Sequence, residues 1–140
     1  MGLMQLIPPT ALEVAQELKL GKIEIPDSVY DPEVNIQMGT YYIAKMIKQY
    51  GGCVPMGLAA YNAGPHRLKS FIQARQEVSE LVSHHTSNPF QEIWFDELPW
   101  SETSFYVKAI LRNSLIYKTF EQKKVTLDAI IWKYLTLSPA

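Results

Sequence analysis

A single cysteine, no excess of either charge and no long apolar run are the first features of this 140-residue chain. Cys53 alone excludes an internal disulfide and a thiolate metal site, and reads as a small buried or half-buried thiol. With 13 Lys and Arg against 14 Asp and Glu the formal charge is -1, so no net basic field exists to hold a nucleic acid. The longest apolar runs, such as Tyr41 to Ala44 and Ala129 to Trp132, fall far short of the roughly 20 residues that cross a bilayer, so no segment reads as transmembrane. Also missing are a glycine-rich phosphate cradle, a Gly-x-Ser-x-Gly turn and a Cys/His nucleophile arrangement around Cys53. His84 and His85 are adjacent, so their side chains diverge, and no Asp, Glu or Cys stands nearby at metal-ligand spacing; they read as solvated loop residues. No metal and no cofactor are implied. Met1-Gly2-Leu3-Met4-Gln5 runs straight into a helix start with neither a charged leader nor an apolar signal core. That fits either a cytoplasmic protein or a chain without its beginning.

What the sequence does have is helical periodicity. Thr10 followed by Glu13 has the form of a capping box ahead of the spacing Ala11, Leu12, Ala15, Leu18, a short helix expected to stop at Gly21. Lys22 to Tyr30 shows no sustained period. Asp31-Pro32 reads as an N-cap with proline in the first helical position, opening a long helix to Tyr50. Its apolar residues, among them Val34, Ile36, Met38, Tyr41, Tyr42 and Ile47, wrap most of the cylinder, which predicts a central, buried helix. Gly51-Gly52 supplies a left-handed stop, and the small residues of Met56 to Asn62 predict close backbone approach. Gly64-Pro65 breaks that segment and opens an amphipathic surface helix with Leu68, Phe71 and Ile72 inward and Arg67, Lys69 and Arg75 outward.

Gln76 to Gln91 is polar and reads as a variable loop, and Pro99 closes a short acidic and aromatic piece. Ser101 reads as the N-cap of a helix to about Phe120, with Phe105, Ala109, Arg112 and Ile116 along one line. Thr126 to Leu135 reads as a last helix. No period-2 segment of convincing length occurs, so the expected class is all-α with one compact core. Residues 1–120 are expected to form the domain, with 76–91 as its variable loop, and residues 121–140 to add a C-terminal helix to it.

Four strings stand out against this background: Gly2-Leu3-Met4-Gln5, Asp31-Pro32-Glu33-Val34-Asn35-Ile36, Ala59-Ala60-Tyr61-Asn62-Ala63-Gly64-Pro65, and Glu97-Leu98-Pro99-Trp100-Ser101-Glu102-Thr103. In their order and spacing they resemble the catalytic domain of the soluble lytic transglycosylases, goose-lysozyme-like enzymes that cleave the glycan strands of bacterial peptidoglycan. The resemblance runs from Gly2 to about Tyr117.

Each string has a sugar-binding reading and a plainer one. Gln5 is an amide able to donate to and accept from hydroxyl or N-acetyl groups, and Met4 is a soft apolar wall for a sugar face; the plainer reading makes Met4 core and Gln5 a cap. Tyr61 and Asn62 present a phenol and an amide where a helix meets Gly64, or else a core tyrosine bonded to backbone. Glu102 opens a helix, where a carboxylate complements the positive end of the dipole. The resemblance places Gln5, Tyr61 and Glu102 in the catalytic cleft. Two departures from the family pattern are visible: Ile7 stands where a second methionine is frequent, and the triplet Glu-Thr-Arg reads Glu102-Thr103-Ser104. Asp31 and Asn35 are expected to serve as helix cap and buried polar tie.

Cleavage of a glycosidic bond needs a general acid at the leaving oxygen. The resemblance assigns this to a glutamate in a Glu-Ser motif upstream of the Gly-Leu-Met-Gln string, hence upstream of Met1, and none of the ten glutamates present takes its place by motif. It further implies cleavage between N-acetylmuramic acid and N-acetylglucosamine, with the muramic acid's own hydroxyl closing a 1,6-anhydro ring. The expectation is an N-terminally truncated, lysozyme-like domain of a cell-envelope enzyme, itself inactive, with peptidoglycan as partner. The alternative is a peptidoglycan-binding pseudoenzyme that keeps the cleft without the acid.

Overall fold

Prolines, glycines and one aspartate set the helix boundaries. In the computed structural model, residues 1–75 and 97–121 are described, and their helices are α1 (Pro8–Glu17), α2 (Asp27–Tyr30), α3 (Pro32–Gln49), α4 (Val54–Ala63), α5 (Pro65–Ala74) and α6 (Ser101–Glu121). No strand occurs among the described residues, which bears out the all-α class. The expected variable loop at 76–91, His84 and His85 within it, and the helix expected at Thr126 to Leu135 lie outside the described residues.

The chain divides into two compact units, Met1–Lys45 and Met46–Ala140. In the first, α1 begins two residues before Thr10. Pro8 and Pro9 occupy the opening helical positions, where a missing N–H costs nothing, and Ile7 is the extended N-cap with no side-chain bond. The expected capping box therefore does not form. Thr10 instead hydrogen-bonds with Tyr42, and Glu13 accepts from Lys45 at 2.8 Å. The helix stops earlier than Gly21, with Lys19 left-handed at φ 56 and the Leu20 amide bonded back to the Ala15 carbonyl at 3.0 Å.

Asp31 does cap α3, its Oδ1 accepting from the Val34 amide at 3.0 Å. The helix is not buried all round. Its buried line is Asn35, Met38, Tyr42, Met46 and Tyr50, whereas Ile36 is 47% and Tyr41 37% exposed. Steps of three and four put those five on one stripe, so α3 is amphipathic despite its apolar count. Tyr41 finds use on the outer face, hydrogen-bonded to Glu17.

In the second unit Gly51 and Gly52 make the left-handed stop at φ 65 and 87. A Cβ on Gly57 would lie 2.7 Å from the Ile47 Cα, so α4 runs against backbone, as its small residues predict. The α4 helix packs against both α5 and α6. Leu58, Leu68 and Val107, one from each helix, are fully buried, and such burial contributes about 1.5 to 3 kcal/mol per side chain. The line of Phe105, Ala109, Arg112 and Ile116 is not the buried face of α6: Phe105 is 70% and Ile116 45% exposed, while Thr103, Ser104 and Val107 are buried. Periodicity marks the spacing of a face but not which face a neighbour covers. Cys53 is half-buried, as expected, and forms no disulfide.

Candidate functional site

The first unit presents the Gly2–Gln5 turn on α3. Gly2 is left-handed at φ +67, and a Cβ there would stand 2.6 Å from both the Asn35 Cγ and the Val29 carbonyl oxygen. Asn35 is completely buried and fully bonded. Its Oδ1 accepts from the Met4 amide at 2.7 Å, and its Nδ2 donates to the Val29 carbonyl at 2.8 Å and the Met1 carbonyl at 3.2 Å. It is the polar tie expected from sequence. One helical turn further, Gly39 leaves room for Met4, whose Cβ and Cγ occupy the space a side chain there would fill. Met4 is consequently half-buried, packed on α3 along one side.

Gln5 is exposed and left-handed at φ 54, a conformation costing about 1 kcal/mol outside glycine. Its amide and its Nε2 both donate to the Gly2 carbonyl, at 3.1 and 2.7 Å. The side chain thus folds back onto its own turn, and Oε1 is the atom left to accept from a ligand hydroxyl. Lys19 is also left-handed, at an ordinary helix end, so the backbone alone does not distinguish the turn; the buried Asn35 behind it does.

In the second unit Tyr61 and Asn62 are half-buried in the last turn of α4, before Gly64 turns the chain at φ 93. Glu102 is exposed in the first turn of α6. The two elements meet through Thr103, 3% exposed, whose hydroxyl donates to Asn62 Oδ1 at 2.7 Å. Ser104, standing where the family triplet has arginine, is 8% exposed. That buried, neutral position supplies no cation for Glu102.

Two glutamates in the first unit, Glu13 and Glu17, are bound to one ammonium: Lys45 Nζ lies 2.8 Å from Glu13 and 2.6 Å from Glu17. The Lys45 hydrogen bond is the main cause holding the Glu17 carboxyl below its ordinary value, opposed by desolvation. A general acid needs the opposite shift, which argues against Glu17 as proton donor. Burial pushes the Tyr106 phenol up, so it stays protonated at neutral pH. No cluster of metal-ligating side chains occurs among the described residues.

A shallow depression of about 450 Å³ between α5 and the start of α6, lined by His66, Arg67, Ser70, Phe71, Pro99 and Trp100, was not anticipated from sequence. The Arg67 guanidinium lies 4.8 Å from the Trp100 ring centre, and Phe71 meets Trp100 at 5.9 Å. Arg75 covers the Phe71 ring and pairs with Glu97. The Arg67 stack gave no signal in the sequence, because its ring, Trp100, lies some thirty positions away.

The transglycosylase SLT domain matches residues 1–82. The soluble lytic murein transglycosylase of Escherichia coli K12 is 32% identical over 126 residues, covering 90% of this chain and 18% of that protein. The protein of the same name from Salmonella typhimurium LT2 is 30% identical over 126 residues, again 90% of this chain and 18% of its own length. The chain therefore spans under a fifth of the relatives it matches. No solved structure matches it at a comparable level of significance. A domain match over more than half of the sequence, the same named relatives across nine-tenths of it, and the glycine-and-asparagine-held turn at its head lead to one statement: this chain belongs to the SLT transglycosylase domain family, all-α and lysozyme-like.

Proposed function

We propose that these 140 residues are the glycan-holding part of a peptidoglycan lytic transglycosylase of the cell envelope. The intact enzyme cleaves between N-acetylmuramic acid and N-acetylglucosamine with closure of a 1,6-anhydro ring. Gln5, Met4, Tyr61, Asn62 and Glu102 bind and orient the strand, supplying positioning and charge rather than the proton. The observation that carries the reading is the similarity across nine-tenths of the chain to relatives named soluble lytic murein transglycosylase. It is supported by the fully bonded Asn35 behind the Gly2–Gln5 turn, an investment that a plain surface loop does not need.

A purely binding role for the chain has one specific observation in its favour. Glu102 is an exposed residue in the first turn of α6, and Ser104 leaves it without the family's arginine. The test is retention of the purified chain on insoluble peptidoglycan together with a search for released anhydro-muropeptides. Retention that falls for Tyr61→Ala, with no release above a blank, is the expected result. Equal retention of the folded Tyr61→Ala protein removes Tyr61 from the site, and turnover by the chain alone shows that one of its own residues serves as the acid.

A further inference from the structure

Helix α6 carries large apolar side chains on a face that α4 does not use. Its buried face holds Thr103, Ser104 and Val107, and α6 packs against α4. Phe120 stands roughly 140° round the helix from Val107 at 3.6 residues per turn. On that side Ile116 is 45%, Tyr117 70% and Phe120 81% exposed. Steps of three and four make them one patch, and apolar side chains gathered in a patch mark a contact surface, which scattered ones do not. With the exposed Asn113 the set is spaced i, i+3, i+4, i+7. Residues 122–140 follow α6 directly, and there Leu127, Ile130, Ile131 and Tyr134 have the same spacing.

We propose that residues 126–135 fold back as a helix antiparallel to α6 and cover this face, so that the occupant of the apolar surface is the chain's own next segment. Two equal patterns laid in opposite directions match pair by pair: Phe120 with Leu127, Tyr117 with Ile130, Ile116 with Ile131, and Asn113 with Tyr134. The one polar member of the first set thereby meets the one member of the second that carries a polar atom. The link from Gln122 to Val125, Gln-Lys-Lys-Val, falls within the roughly 2 to 8 residues that join antiparallel helices. A ten-residue helix runs about 15 Å, which returns along α6 from Phe120 as far as Ile110 and leaves Phe105 open. A link this short also holds the two apolar faces at an effective concentration on the order of millimolar, ahead of any second molecule. The inference concerns how the domain covers its own surface, and it holds whether or not the chain binds glycan.

The test is NMR on the full chain, looking for nuclear Overhauser contacts from the Tyr117 and Phe120 rings to the methyl groups of Leu127, Ile130 and Ile131. It is repeated on a mixture of isotope-labelled and unlabelled protein, and hydrogen exchange is followed at the amides of residues 130–135. Contacts within one molecule and protected amides are the expected result. Phe120→Ser should abolish that protection and lower the melting temperature by about 5 °C or more, the effect of uncovering one large side chain in a domain of this size. Phe105→Ser should leave the protection as it is in wild type. Contacts that arise only between labelled and unlabelled molecules make the occupant a second copy and overturn the proposal. Absence of any contact in the folded wild-type chain overturns it too, as does protection that Phe120→Ser leaves unchanged. Loss of protection in Phe105→Ser also overturns it, because the pairing stops short of that ring.

Discussion

Replacing Asn35 by leucine tests how the Gly2–Gln5 turn is held. Leucine has nearly the volume of asparagine plus a methyl group and makes none of its three bonds, to the Met4 amide and to the Val29 and Met1 carbonyls. At about 1 kcal/mol for each neutral bond, the loss is about 3 kcal/mol, and the buried Val29 carbonyl left without a donor places the figure at the upper side. Against a total of 5 to 15 kcal/mol for an ordinary domain, about 3 kcal/mol is a large fraction. With a urea slope of about 2 kcal/mol per molar, the midpoint should fall by about 1.5 M. All three tryptophans, Trp94, Trp100 and Trp132, lie beyond the first unit, so the melt is followed by far-UV circular dichroism rather than fluorescence. The local counterpart is hydrogen exchange at the Met4 amide, which should lose its protection. A midpoint within about 0.3 M of wild type with Met4 still protected would refute the assignment of Asn35 as the tie.

Gly39→Ala should destabilise by about 1 to 3 kcal/mol through the collision with Met4, outweighing the gain of about 0.5 to 1 kcal/mol that alanine brings to a helix; a stabilised variant would mean that Met4 moves freely. Lys45→Met should lower stability at neutral pH. The Glu17 pKa is depressed by Lys45, so its contribution is present above the unfolded carboxylate value of about 4.3 and lost as pH falls through the lower folded value. Lys45 is raised by both glutamates, so its part persists until pH climbs above the ordinary lysine range. Denaturant midpoints of the two proteins should therefore converge in acid and in high salt, and a gap independent of pH would exclude the ion pairs as its cause. A double-mutant cycle between Arg67→Ala and Trp100→Leu should return a coupling of about 0.5 to 1 kcal/mol, and a value of zero would make the stack incidental.

Local chemistry was readable wherever its partner lies a few residues away. Asp31 reaches the Val34 amide three positions on, the proline and glycine punctuation of α4 and α5 acts on its own backbone, and the absence of a period-2 pattern settled the all-α class. Asn35 was legible as a polar residue inside an apolar stripe, and the ordered strings marked Met4, Gln5, Tyr61, Asn62 and Glu102 as candidates. The burial of each helix face was not readable, because it depends on distant residues. Thr10 caps nothing once Pro8 and Pro9 start α1 earlier and Tyr42 becomes its partner, and α3 and α6 turn apolar side chains outward although their composition suggests otherwise. Nor could spacing alone pair Thr103 with Asn62, 41 positions apart, or seat Arg67 on Trp100. Backbone rules act over a turn or two of helix. Contacts between helices are decided by which faces meet, and only the tertiary structure supplies that.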